Sequence, residues 1–188
     1  MATISRAEQL GHTQFGQKCL RTLAVCLIVL LTHSFERCFA GQMSRGSVDE
    51  GRQNKWRFEV APGNVAQLVF PTGQSDLVRI AISKAGTKIP WNIQLNMDRV
   101  PVKFRQRYVL TFRAKADRLR NIAAAVSMQH EPWFLGLYKT IGLTQEWQTF
   151  ELEFNATETD DNARIHFDVG GNVNSVDLSG VALRALPL

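Results

Sequence analysis

From Lys55 onward, apolar and polar residues alternate with a period of two. That is the spacing of a strand with one face in a core and the other toward solvent. Trp56, Phe58 and Val60 alternate with Arg57 and Glu59, and Val78, Ile80 and Ile82 with Arg79, Ala81 and Ser83. The same rhythm runs through Trp91–Asn96, Tyr108–Lys115, Ile122–Gln129, Thr149–Phe154 and Arg164–Val169. Weaker runs lie at 64–70, 138–143 and 176–184. Turn residues separate them, among them Ala61-Pro62-Gly63-Asn64, Pro71-Thr72-Gly73, Lys84-Ala85-Gly86, Asp160-Asp161-Asn162 and Gly170-Gly171-Asn172. No stretch after residue 40 has helical periodicity. Many short strands without helices predict an all-β fold, an antiparallel β-sandwich.

The first forty residues follow another pattern. Lys18 and Arg21 precede an apolar run at 22–32, and Cys38-Phe39-Ala40 follows it. This order matches a secretory signal peptide, and the run is shorter than the ~20 residues that span a bilayer. Residues 1–40 are therefore expected to be a signal peptide cleaved near Ala40–Gly41, with an uncleaved signal anchor as the alternative. The product is expected outside the cytoplasm, extracellular or periplasmic. Residues 41–54 are polar and aperiodic, which predicts a flexible lead-in to a domain over 55–188.

Composition adds two constraints. All three cysteines, Cys19, Cys26 and Cys38, lie in the leader, so the expected domain has no thiol for catalysis, metal binding or cross-linking. The net charge of +5 divides into +2 for the leader and +3 for the rest, with no Lys/Arg run. Nucleic-acid binding calls for a dense basic patch, so that class is disfavoured.

Four segments carry a family resemblance. Trp91-Asn-Ile-Gln94-Leu95 is followed by Tyr108-Val-Leu110-Thr-Phe112-Arg-Ala114-Lys-Ala116. Leu143-Thr144-Gln-Glu-Trp147-Gln148 comes next, and Val176–Leu183 closes the series after an Asp/Asn-rich turn. In order and spacing, residues 55–188 resemble the CenC-type carbohydrate-binding modules, the grouping of families four, nine, sixteen and twenty-two. The resemblance implies a jelly-roll sandwich, monomeric and non-catalytic, that binds a polysaccharide or oligosaccharide and assists a separate glycoside hydrolase. With the charge pattern and the leader, no nucleic-acid partner is expected and no membrane contact beyond the signal segment. In its last strand the family often carries an acidic residue just before Val-x-Leu, where it helps hold a structural calcium; Ser179 and Gly180 stand there. No cofactor is expected, and Glu59 and Asp177 are weak metal candidates that offer oxygens to a hard cation.

Sugar recognition needs flat aromatic faces and groups that hydrogen-bond hydroxyls. Asn92, Gln94 and Asn96 would share one strand face, unusual for a residue type depleted in strands, with a solvated outer face as the plain alternative. The resemblance favours Gln94 as a ligand contact. Arg113 and Gln129 project from the non-core faces of later strands, and would line the same groove as Gln94 if those strands share its sheet. An ordinary cross-strand ion pair is the alternative for Arg113. Trp133, after Pro132 in a loop, is the stacking candidate, or else a lid over the core. Trp56, Trp91, Tyr108, Phe112 and Trp147 are expected in the core. His130 and His166 are far apart in sequence, and each reads as a lone surface or strand histidine.

Hydrolysis is the enzyme alternative. Glu151 and Glu153 lie two apart, so their carboxylates would share a strand face at ~6.6 Å, within the range glycosidases use. A solvated acidic face near Lys139 or Arg164 is the competing reading. A protein-binding surface sandwich is the third class, and its mark would be an exposed apolar patch.

Overall fold

The computed structural model describes residues 55–187. Ten strands follow one another: β1 (Arg57–Val60), β2 (Val65–Val69), β3 (Val78–Lys84), β4 (Ile93–Val102) and β5 (Arg107–Ala116), then β6 (Arg120–Ser127), β7 (Phe134–Leu143), β8 (Gln148–Asn155), β9 (Asp160–Asp168) and β10 (Val176–Ala185). Each run of alternation, strong or weak, corresponds to one strand. The strands form two antiparallel five-stranded sheets. The first has the order β1-β4-β9-β6-β7 and the second β2-β3-β10-β5-β8. From β3 onward the chain crosses repeatedly between the sheets, which makes the sandwich a jelly roll. The leader and lead-in, 1–40 and 41–54, lie outside the described residues.

The inward residues close the core. Ile80 and Leu178 from the second sheet and Leu95, Ala124 and Ile165 from the first are essentially inaccessible. Phe112 on β5 bridges the sheets, stacked on Phe150 at 5.1 Å and edge-on to Phe167 of β9 at 5.0 Å. Fully burying one such ring is worth about 1.5–3 kcal/mol. Tyr108 and Phe112 occupy the core as expected, and Trp56 is half-buried against it.

Two expected core tryptophans lie elsewhere. Trp91 belongs to a single 3₁₀ turn, Pro90–Asn92, so the period of two starts only at Ile93, and Trp91 is 59% exposed. The turn packs on the β9–β10 loop. Gly170 N–H donates to the Pro90 carbonyl (2.7 Å) and Val169 N–H to that of Ile93 (2.9 Å). A Cβ on Gly170 would sit 2.6 Å from the Ile89 oxygen, so only glycine permits this approach. Trp147 lies on the outer face of the second sheet, with Arg113 and Lys115 each 5.2 Å from its ring. Its apolar surface is covered by cationic side chains rather than by the core.

Candidate functional site

A cleft of about 710 Å³ opens on the outer face of the first sheet. Strand register sets its floor in transverse rows. Gln94 of β4 pairs with Asp168 of β9, which pairs with Ala123 of β6. One row on, Asn96 pairs with His166, and Ala125 stands between His166 and Tyr138. In the next row Arg164 pairs with Ser127. Alternation puts Arg164, His166 and Asp168 on one face of β9, spanning about 13 Å along the strand. Small alanines on β6 leave room above the floor.

The ends are aromatic. Trp91 stands at the Asp168 end, just before β4. Trp133 and Phe134 stand at the Arg164 end, between β6 and β7, and Tyr138 forms part of the wall. Trp133 is 47% exposed. Its backbone is left-handed, φ 67°, strained for a bulky residue at a cost of order 1–3 kcal/mol. Two backbone hydrogen bonds hold it: its N–H donates to the His130 carbonyl and its carbonyl accepts from Met128, both at 2.8 Å.

Asp168 organises the floor. It is 1% exposed. Oδ1 accepts from Gln94 Nε2 (2.7 Å) and from His166 Nδ1 (3.0 Å), and Oδ2 from the Tyr138 hydroxyl (2.9 Å). Burial alone would raise its pKa; His166, through hydrogen bond and charge, with Gln94 and Tyr138, outweighs burial and holds it below the ordinary 3.8. The Tyr138 hydroxyl is pushed up to about 12 by burial and by the adjacent Asp168 charge. Three polar side chains are thereby fixed before any ligand arrives. Gln94 keeps its amide oxygen and one N–H, and His166 keeps its Nε2 edge, for a ligand. Arg164 donates from Nε to Ser127 Oγ (3.2 Å) and from Nη1 to Asn96 Oδ1 (3.4 Å).

The depressed Asp168 pKa fixes the sign of a pH dependence. Its contribution to stability is present above the unfolded value and is lost as pH falls through the lowered one. Wild type is therefore expected to exceed Asp168→Asn by about 1–2 kcal/mol at neutral pH. The gap should close below pH 3.8, as read by denaturant unfolding across pH. A gap unchanged from pH 7 to 3 would mean that the carboxylate charge contributes nothing.

Of the residues singled out in sequence, Gln94 and Trp133 line the cleft. Asn96 is fully buried beneath Arg57 and Arg164, with its Nδ2 donating to the Arg57 carbonyl (3.4 Å). Asn92 is not part of the row, because it sits in the 3₁₀ turn and donates to Thr87 Oγ1 (2.6 Å). Arg113 does not share the groove, since β5 belongs to the other sheet. Gln129 lies past the end of β6 and binds the carbonyl of Asn162 (3.1 Å). His166, expected as a lone histidine, is a buried member of the floor. Tyr138, Arg164 and Asp168 also line the cleft; the Arg-x-His-x-Asp alternation of β9 signals the last two, and Tyr138 on β7 carries no such mark.

The other candidates separate. Glu59 lies on the outer face of the first sheet, paired with Arg57. Asp177 lies on the outer face of the second, bound by Arg79 (3.0 Å) with Lys115 at 3.8 Å, so the two cannot share one ion. Glu151 and Glu153 project from β8 into solvent on the second sheet, and Glu153 meets Arg107 (3.6 Å) rather than Lys139 or Arg164. Asp168 is the one carboxylate lining the cleft among the described residues.

Residues 30–176 match the model of a carbohydrate binding domain. A structure reported under "CBM4 structure and function" is 25% identical, with TM-score 0.61 over 70% of this chain and 86% of that one. Two cellulose-binding domains of Cellulomonas fimi β-1,4-glucanase C share the fold. The N-terminal one is 18% identical (TM-score 0.58, 72% and 91% covered), and the second is 22% identical (TM-score 0.58, 72% and 88%). No curated protein matches the chain.

Proposed function

The chain belongs to the carbohydrate binding domain family, and from that premise we propose that the cleft on its first sheet is the glycan site. One observation carries the assignment. Exposed aromatic faces at both ends of the cleft flank a floor whose amide, imidazole and guanidinium are already oriented. Pyranose rings need both: an aromatic plane for the C–H face, and fixed donors and acceptors for the hydroxyls. Pre-oriented polar groups also lower the ordering cost of binding.

The role is binding rather than hydrolysis. Glycoside cleavage uses two carboxylates flanking the scissile bond. What supports the non-catalytic reading is that Asp168 stands alone in the cleft and three donors occupy its oxygens. Export, with cleavage near Ala40–Gly41, and action beside a separate glycoside hydrolase belong to the same reading. They rest on the apolar run at 22–32 and on the family.

Affinity gel electrophoresis against soluble glucans, xylans, mannans and galactans tests it. Retardation by one class, with no reducing ends released, is the expected result. A folded protein retarded by none would transfer the cleft to a protein partner. Release of reducing ends would overturn the non-catalytic role.

A further inference from the structure

Arg164 is the anomaly of the cleft. On the second sheet Arg79 grips Asp117 and Asp177 while Arg113 lies against the Trp147 ring, and on the first sheet Arg57 grips Asp98 at 2.6 and 3.1 Å. Arg164 is half-buried and meets no carboxylate within 4.0 Å among the described residues. The carboxylates around it are already held. Arg57 holds both Asp98 and Glu59. Asp168 stands four residues further along β9, a backbone rise of about 13 Å, and its oxygens are taken by Gln94, His166 and Tyr138. Burial and the nearby Arg57 charge hold the Arg164 pKa below its ordinary value, and the charges of Asp168 and Asp98, neither in contact with it, offset that only in part.

The guanidinium is also aimed. Ser127 Oγ and Asn96 Oδ1 take two of its five N–H groups and fix its plane at the Trp133 end. Three N–H remain, including both on Nη2. A planar fork of this kind matches a carboxylate by two parallel hydrogen bonds, and a hydroxyl cannot neutralise it.

We propose that the glycan bound in this cleft carries a carboxylate, a uronic acid residue, which Arg164 receives beside the Trp133–Phe134 end. The proposal rests on the cleft being the glycan site. A neutral chain would leave the cation uncompensated as it displaced water; a uronate supplies the charge that the sequence withholds.

The test compares polygalacturonate, alginate and glucuronoxylan with their carboxyl-reduced forms, by calorimetric titration of the whole protein. At low salt, one uronate polymer is expected to bind at least tenfold tighter than its reduced form. The preference should shrink as salt rises. Arg164→Gln should abolish it, Arg164→Lys should keep part of it, and Arg113→Gln on the opposite sheet should leave it intact. The wild-type comparison needs no variant, so a misfolded Arg164→Gln does not decide the matter. Equal affinity for a polymer and its reduced form would overturn the carboxylate while leaving the glycan site standing. Tighter binding of a sulfated galactan than of any uronate would also overturn it, in favour of a sulfate ester. Binding of no polymer, charged or neutral, would overturn the glycan site itself.

Discussion

Replacing Arg120 by leucine is expected to lower the unfolding free energy by about 4 kcal/mol, the largest stability effect of any single polar side chain here. Arg120 opens β6 and is 6% exposed. Its guanidinium serves the β9–β10 loop. Nη1 donates to the carbonyls of Asn174 and Asn172, Nη2 to those of Val169 and Gly170, and Nε to that of Asn121. Among the described residues no carboxylate pairs with it. Burial pulls its pKa down to about 10, so it remains charged at neutral pH. The positive charge among backbone oxygens does what a bound cation would do. Leucine fills the space and leaves several buried carbonyls unmet, each at about 1–3 kcal/mol before water enters. For a domain of this size the shift in Tm is about 10 °C. Arg120→Lys should recover less than half, because one ammonium cannot fork across the loop. A loss below about 1 kcal/mol would show that water satisfies these oxygens in the variant. The same loop carries Gly170, on which the Trp91 turn rests, so the variant should also weaken glycan binding at that end.

The second large effect concerns affinity. Gln94→Ala combined with Trp133→Ala is expected to weaken binding of the cognate glycan about 100-fold, near 3 kcal/mol. Trp133 offers an open indole face that its backbone holds in place. Losing it removes a stacking surface at the Arg164 end. Gln94 lines the other end, where its amide donates to Asp168 and is expected to meet the ligand with its remaining groups. Tyr138 and His166 still hold Asp168 without it, so the floor should persist and the loss should fall mainly on the ligand. Affinity unchanged within twofold, in a variant of normal stability, would place the site elsewhere.

The sequence carried the strands further than it carried the site, and the physics explains both. Alternation is local. It located β9 from Arg164, Ile165, His166, Phe167 and Asp168, and it located even the faint β2 and β7. It says that a side chain faces away from the core, but not which of two sheets it stands on. Arg113 and Gln94 look alike by that measure, yet the order β1-β4-β9-β6-β7 separates them, and that order comes from pairing across dozens of residues. Trp91 failed for another reason: one 3₁₀ turn shifted the phase, and Pro90 was its only local sign. Trp147 failed because cationic side chains cover an indole as well as a core does. Asp168 was visible only as one more polar position, since its value depends on three partners from β4, β7 and its own strand.

The chain contains four tryptophans, Trp56, Trp91, Trp133 and Trp147, and the cleft divides them. Their indole N–H signals, followed by NMR during titration with a bound glycan, test the central claim most directly. The account predicts that the Trp91 and Trp133 signals move together and saturate, while Trp56 and Trp147 stay still. Movement of Trp147, with Trp91 and Trp133 unchanged, would put the ligand on the opposite sheet and contradict it.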